Sequence, residues 1–145
     1  MANNNHLIDN YIDALLVEAV ERKKELNTET LTTVYLGGGT PSLLSSTQLS
    51  KLVNGLKKVF DFSDLEEFTI EVNPDDVTAY YIQQAKSLGI NRVSMGVQSF
   101  SDEDLRFINR RHTAKQATDA IHIIKEAGID NISIDLIYGI PGQNF

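Results

Sequence analysis

The sequence predicts an α/β fold of about four parallel strands with covering helices, part of a (β/α) barrel truncated at both ends. Two observations lead there. Segments with strand and helix character alternate along the chain, and one unit recurs. "KSLGINRVSMG" (Lys86 to Gly96) resembles "KEAGIDNISID" (Lys125 to Asp135) at a constant offset of 39 residues, from Gly89 to Gly128. Each copy is a helix end, a glycine stop and a strand start, which is what a right-handed βα repeat requires.

The elements follow in order. Residues 1–6 ("MANNNH") read as a short, loose N-terminus. Ile8, Tyr11, Ile12, Leu15 and Ala19 recur at helical spacing, so a helix fills most of 7–32 and ends near Leu26 to Asn27, with no strand before it. The βα repeats occupy 33–145, opening on "LTTVYL", a β-branched and aromatic run ended by Gly37. Ser45 with Gln48 reads as a capping box, followed by the apolar stripe Leu49, Leu52, Val53 and Leu56. "FTIEV" (Phe68 to Val72) is the second strand, Val77 to Leu88 a helix stopped by Gly89, and "RVSMGV" (Arg92 to Val97) the third strand. Ser101 with Asp104 opens a short helix. Thr113 with Gln116 opens a longer one through Ala127, before the fourth strand "NISIDLIY" (Asn131 to Tyr138). A further helix is expected after "YGIPGQ". A closed eight-unit barrel needs roughly 250 residues, so four strands amount to about half of one.

Composition narrows the function classes. The 145 residues suit one modest domain, and 41% hydrophobic with 23% charged residues is ordinary for a globular chain. A net charge of −7 without a basic stripe argues against a nucleic-acid partner. No run of about 18 apolar residues suggests a membrane span, and no leader pattern suggests secretion. With no cysteine there are no disulfides, which fits a cytoplasmic protein, and there is no thiolate for a metal. No metal ligands are assigned.

Chemistry in parallel βα architectures gathers at the carboxyl ends of the strands. Those ends carry Gly37-Gly38-Gly39-Thr40, then Glu71, Gln98 and Asp135, polar or glycine each time. Taken singly, each has two readings. Glu71 is a buried acid satisfied by a cation or a ligand group; Gln98 a structural hydrogen-bonder or a ligand group; Asp135 a turn cap or a ligand group. Together at one rim they favour a polar ligand.

The glycine loop matches neither G-x-x-x-x-G-K-[ST] nor G-x-G-x-x-G. Three glycines remove every Cβ at a strand end, so a ligand can approach bare backbone. One glycine would serve a tight turn; three suggest contact. Pro41 extends Thr40 and removes an N–H, leaving carbonyls suited to an ammonium at least as well as amides suited to phosphate. Of Arg110-Arg111-His112, the arginines are either a solvated pair or include one guanidinium turned inward to fork a carboxylate. His112 reads as a satisfied polar residue. The rim as a whole suits an amino acid joined to a sugar. No catalytic residue is assigned.

In this order and spacing, "GGGTPS", "EVNP", "MGVQSF", "RRH" and "IDLIYGIPGQ" resemble the radical S-adenosylmethionine core of oxygen-independent coproporphyrinogen III oxidase and its relatives. The resemblance covers about Val34 to Gln143, and the preceding helix also fits. It implies a partial (β/α)6 barrel that binds S-adenosylmethionine through the backbone of Gly38, Gly39 and Thr40, with Glu71, Gln98, Arg110 and Asp135 at the other cofactor positions. It further implies that Arg110 suits the methionyl carboxylate and Asp135 the ribose hydroxyls. The family's C-x-x-x-C-x-x-C triplet, which holds a [4Fe–4S] cluster, is absent. The expectation is an inactive fragment of a longer protein, beginning just after the cysteine loop, whose parent handles porphyrin or heme. "EVNP", "VQSF" and "RRH" look nearer the heme chaperone branch, since the oxidase tends to have Asp in place of the Asn and of the Ser. Two alternatives remain: a phosphate-binding, aldolase-like barrel fragment, and a degenerate ligand-binding module without a cluster.

Overall fold

Four strands form one parallel sheet in the order β1 (Thr33–Leu36), β2 (Glu67–Val72), β3 (Arg92–Gln98) and β4 (Asn131–Leu136) in a computed structural model describing residues 2–26 and 30–142. Thr33 pairs with Glu67, Thr69 with Arg92, and Arg92 with Asn131. Because side chains alternate across a strand, this register separates two chemistries. One face carries Phe68, Ile70, Val72, Val93, Met95 and Val97, all buried. The other carries Tyr35, Glu67, Thr69, Glu71, Arg92, Ser94, Gly96, Gln98, Ser133 and Asp135.

Helices cover the apolar face. Leu49 and Val53 of α2 (Ser46–Val59), Ile82 and Ala85 of α3 (Ala79–Ser87), and Ala117, Ala120 and Ile124 of α5 (Ala114–Glu126) close the core over it. Full burial of each large side chain contributes about 1.5–3 kcal/mol. The polar face makes its own bonds. Arg92 donates to Thr69 Oγ1 at 3.3 Å and to Ser133 Oγ at 2.9 Å, with Glu67 at 3.7 Å, and Ser133 donates to Ser94 at 3.1 Å. That network occupies the amino-terminal half of the polar face, away from the carboxyl-end rim.

The expected caps form. The boxes Ser45/Gln48 and Thr113/Gln116 are reciprocal, and Ser101 Oγ accepts the Asp104 N–H ahead of the short α4 (Asp102–Phe107). The repeat has a further device. Lys57 near the end of α2 donates to the Leu88 carbonyl capping α3, and Lys86 in the last turn of α3 donates to the Ala127 carbonyl capping α5, both at 2.8 Å. Each helix thereby neutralises the negative end of the next.

The boundaries of the first helix and of the fourth strand differ from expectation. The first helix, α1, spans Ala2–Arg22 and continues as a 3₁₀ turn over Lys23–Glu25, so residues 2–6 are helical where a loose segment was expected. Once nucleated, a helix extends at small cost through residues such as Asn and His, and apolar periodicity does not mark that extension. The turn stops at Glu25, just short of the expected end near Leu26 to Asn27, with Leu26 extended; the helix expected after "YGIPGQ" lies outside the described residues. The fourth strand stops at Leu136 instead of Tyr138, beyond a register shift between Met95 and Gln98, although the Ile137 N–H still reaches the Gln98 carbonyl at 2.9 Å.

Candidate functional site

The glycine run bends for reasons that differ by position. Gly38 and Gly39 adopt φ of +74° and +53°, where a Cβ would meet nothing within 4 Å. Gly37 has no such φ, but a Cβ there would lie 2.5 Å from Tyr35 Cε1 and 2.9 Å from Glu71 Oε1. The expectation that one glycine would serve the turn is therefore too low. Two positions need the left-handed region and the third needs space, so ligand contact is not required to explain the run. Open space beside Gly38 and Gly39 is what keeps their backbone approachable.

Glu71, on the polar face of β2, secures this loop. Its Oε1 accepts the Tyr35 hydroxyl at 2.8 Å and its Oε2 the Gly38 N–H at 3.1 Å. No cation pairs with it among the described residues. The bond to Glu71, followed by burial, raises the Tyr35 phenol above its ordinary range.

At the end of β3, Gln98 adopts φ +68°, uncommon for a residue with a Cβ. The neighbouring Val97 carbonyl holds this bend by accepting the Ser99 N–H at 2.9 Å and His112 Nε2 at 2.9 Å. A carbonyl only accepts, so Nε2 carries the proton; the buried Nδ1 has no partner among the described residues. His112 is thus half satisfied, where a fully satisfied side chain was expected.

The two arginines part company. Arg111 points outward to Asp75 at 2.9 Å and Asp76 at 3.4 Å. Arg110 turns inward, where its Nη2 donates to the Gly96 carbonyl and to Asn73 Oδ1, both at 2.8 Å. Both acceptors are neutral. Among the described residues no carboxylate lies within ion-pair distance of this half-buried guanidinium, and its Nε and Nη1 have no hydrogen-bond partner.

These groups converge. A cavity of about 250 Å³ is lined by Gly39, Thr40, Glu71, Gln98, Arg110 and Asp135, together with Asn73, Ser94 and Gly96. Six of the seven residues singled out in the sequence share it; Gly38 lines a larger, mostly apolar groove between α1, α2 and the loop instead. Asp135 enters from the edge strand β4 and is exposed. Asn73, Ser94 and Gly96 were not singled out. Alternation from Glu71 and Gln98 would have found all three, since each lies an even number of residues from one of them.

Residues 4–145 match the Radical SAM superfamily. The chain belongs to that superfamily. It is 43% identical over 132 residues to a heme chaperone, HemW, of Lactococcus lactis subsp. lactis, covering 91% of this chain and 35% of the relative. It is 36% identical over 138 residues to the oxygen-independent coproporphyrinogen III oxidase of Escherichia coli, covering 95% of this chain and 30% of that one. The solved structure of coproporphyrinogen III oxidase (HemN) from Escherichia coli, a radical SAM enzyme, superposes with a TM-score of 0.86 over 95% of this chain and 32% of that one. The chain thus spans about a third of the length of these relatives. The parallel sheet with its helices is part of that barrel-like fold, and the aldolase-like alternative is not favoured.

A [4Fe–4S] cluster does not fit the residues present. The chain has no cysteine, and among the described residues no group of three or more His, Asp or Glu is placed to hold a metal ion.

Proposed function

We propose that this chain forms the S-adenosylmethionine-binding part of a radical SAM protein that handles porphyrin or heme. The observation that carries the reading is Arg110: a guanidinium turned into a cavity and held there by neutral acceptors, while its neighbour Arg111 points outward with Nη2 on two aspartates. Such a group suits the ligand's carboxylate. The open backbone at Gly39 and Thr40 suits its ammonium, while Asp135 and Gln98 suit ribose hydroxyls and base-edge donors. Glu71 acts by fixing the loop. The cofactor, when bound beside an iron–sulfur cluster, supplies radical chemistry that belongs to it and not to protein acids and bases. The cluster's ligands would come from outside these residues, so the chain alone is inactive in this reading.

Of the two branches, the heme chaperone is favoured. Asn73 and Ser99 stand where the oxidase tends to have Asp, and relatives in that branch reach 43% identity. A cytoplasmic protein is expected; among the described residues no helix is long and apolar enough to cross a membrane. The test is calorimetric titration of the full-length protein with S-adenosylmethionine, then with heme. Binding that Arg110→Ala and Asp135→Ala each weaken by about 1–3 kcal/mol supports the site. Unchanged affinity in both variants removes it. Heme retention without conversion of coproporphyrinogen III supports the chaperone branch, and conversion the oxidase.

A further inference from the structure

We infer that Asn73 is a positioning residue of this site, one that holds the Arg110 guanidinium toward the ligand carboxylate and ties it to the loop on the opposite wall. The inference rests on the site reading above and goes one residue further. Asn73 lies two positions beyond Glu71, just past the end of β2, in an extended conformation (φ −94°, ψ 146°) that Pro74 enforces. Its side chain therefore stands on the same side of the strand as Glu71 and lines the cavity.

All of its polar groups are engaged, in two directions. Its Oδ1 accepts from Arg110 Nη2 at 2.8 Å. Its backbone N–H donates to Ser42 Oγ at 3.2 Å, and its Nδ2 lies 3.5 Å from Asp76 Oδ2. Ser42, itself buried, donates to the same Asp76 oxygen at 2.7 Å. Ser42 is two residues after Thr40, so the segment carrying the glycine loop and the arginine on the far wall meet at one residue.

The geometry leaves Arg110 little freedom. Both N–H groups of Nη2 are taken, one by Gly96 O and one by Asn73 Oδ1, which fixes the plane of the guanidinium. An amide acceptor does so without cancelling the charge. Without Asn73, the Gly96 carbonyl alone leaves the plane free to rotate, and the charge no longer faces one ligand position.

The test compares two probes on the full-length protein: S-adenosylmethionine, and 5′-methylthioadenosine, which lacks the amino acid's carboxylate. Asn73→Leu should weaken the first about tenfold, the worth of one well-placed bond to a charged group, and leave the second within about twofold. In an Arg110→Ala background the same substitution should cost nothing further, because the two residues act as a unit. Retained methylthioadenosine binding also shows that the variant is folded; Asn73→Ala replaces it if the larger side chain disturbs the melt. Equal losses for both probes, or losses that add to those of Arg110→Ala, would overturn the inference. If Arg110→Ala weakens S-adenosylmethionine while Asn73→Leu does not, the inference falls and the site reading stands. A wild-type protein that binds neither probe overturns both.

Discussion

Glu71 Oε2 accepts the backbone N–H of Gly38 at 3.1 Å, joining the end of the second strand to the loop that follows the first. Because the other oxygen holds Tyr35, both sides of the carboxylate are used in keeping β1 and its loop in register with β2. Glu71→Gln should be tolerated: its amide oxygen accepts from Gly38 and its amide nitrogen donates to the Tyr35 oxygen. Glu71→Leu removes both bonds and should cost about 1–2 kcal/mol, with faster hydrogen exchange at the Gly38 amide. An exchange rate in the Leu variant equal to that of the native protein would show that the loop stands without this anchor.

Gly96 gives a prediction that separates stability from binding. A Cβ there would sit 2.9 Å from Gln98 Nε2 and 3.4 Å from Arg110 Nη2, and no backbone atom lies among its near contacts. Gly96→Ala should therefore leave the melting transition within about 1 kcal/mol of the native value, since a side-chain tip moves cheaply. The displaced groups line the cavity, so affinity for S-adenosylmethionine should fall about tenfold or more. Calorimetric titration beside thermal melting checks both halves; a large loss of stability with native affinity would contradict the account.

Much of this was legible before any coordinates. Caps announce themselves locally, so Ser45/Gln48 and Thr113/Gln116 were readable, and the 39-residue offset fixed the βα unit. The rim residues followed from walking the strand ends. What stayed hidden depends on distant partners. Arg110 and Arg111 are adjacent in a turn, and which one goes inward is decided by the Gly96 carbonyl, 14 residues earlier, and by Asp75 and Asp76, over 30 residues earlier. Asn73 gains its role only when β2 lies beside β3. The left-handed φ of Gln98 has no sequence mark at all.

The lysine relay offers a test of the repeat. Lys86 Nζ reaches the Ala127 carbonyl at 2.8 Å and stands where a Cβ on Gly128 would have to go. Lys86→Met keeps the apolar stem and removes the donor, and should cost about 0.5–1 kcal/mol, reduced by added salt. Denaturant midpoints at low and high ionic strength measure this. A loss that is independent of salt would mean that the lysine acts through its stem.

Tyr81 predicts how the fold fails in alkali. It is buried on α3, where it donates to the Pro41 carbonyl at 3.3 Å, and its phenol is pushed up to about 12, chiefly by burial and then by the charge of Asp76. The unfolded chain releases this proton near pH ~10 and the folded chain only near 12. Between those values the native state binds more protons than the unfolded one, so stability falls as pH rises. Nothing is lost below about pH 10, and passing through the folded value near 12 costs the native state about 2–3 kcal/mol relative to the unfolded chain. Tyr35, raised mainly by its bond to Glu71, acts in the same direction at its own exposed site. Tyr81→Phe should cost about 1 kcal/mol at neutral pH, for the lost bond to Pro41, and flatten the alkaline decline. Urea midpoints followed from about pH 8 to about pH 12 would show it. A Phe variant that loses stability as steeply as the native protein would place the alkaline failure elsewhere in the chain.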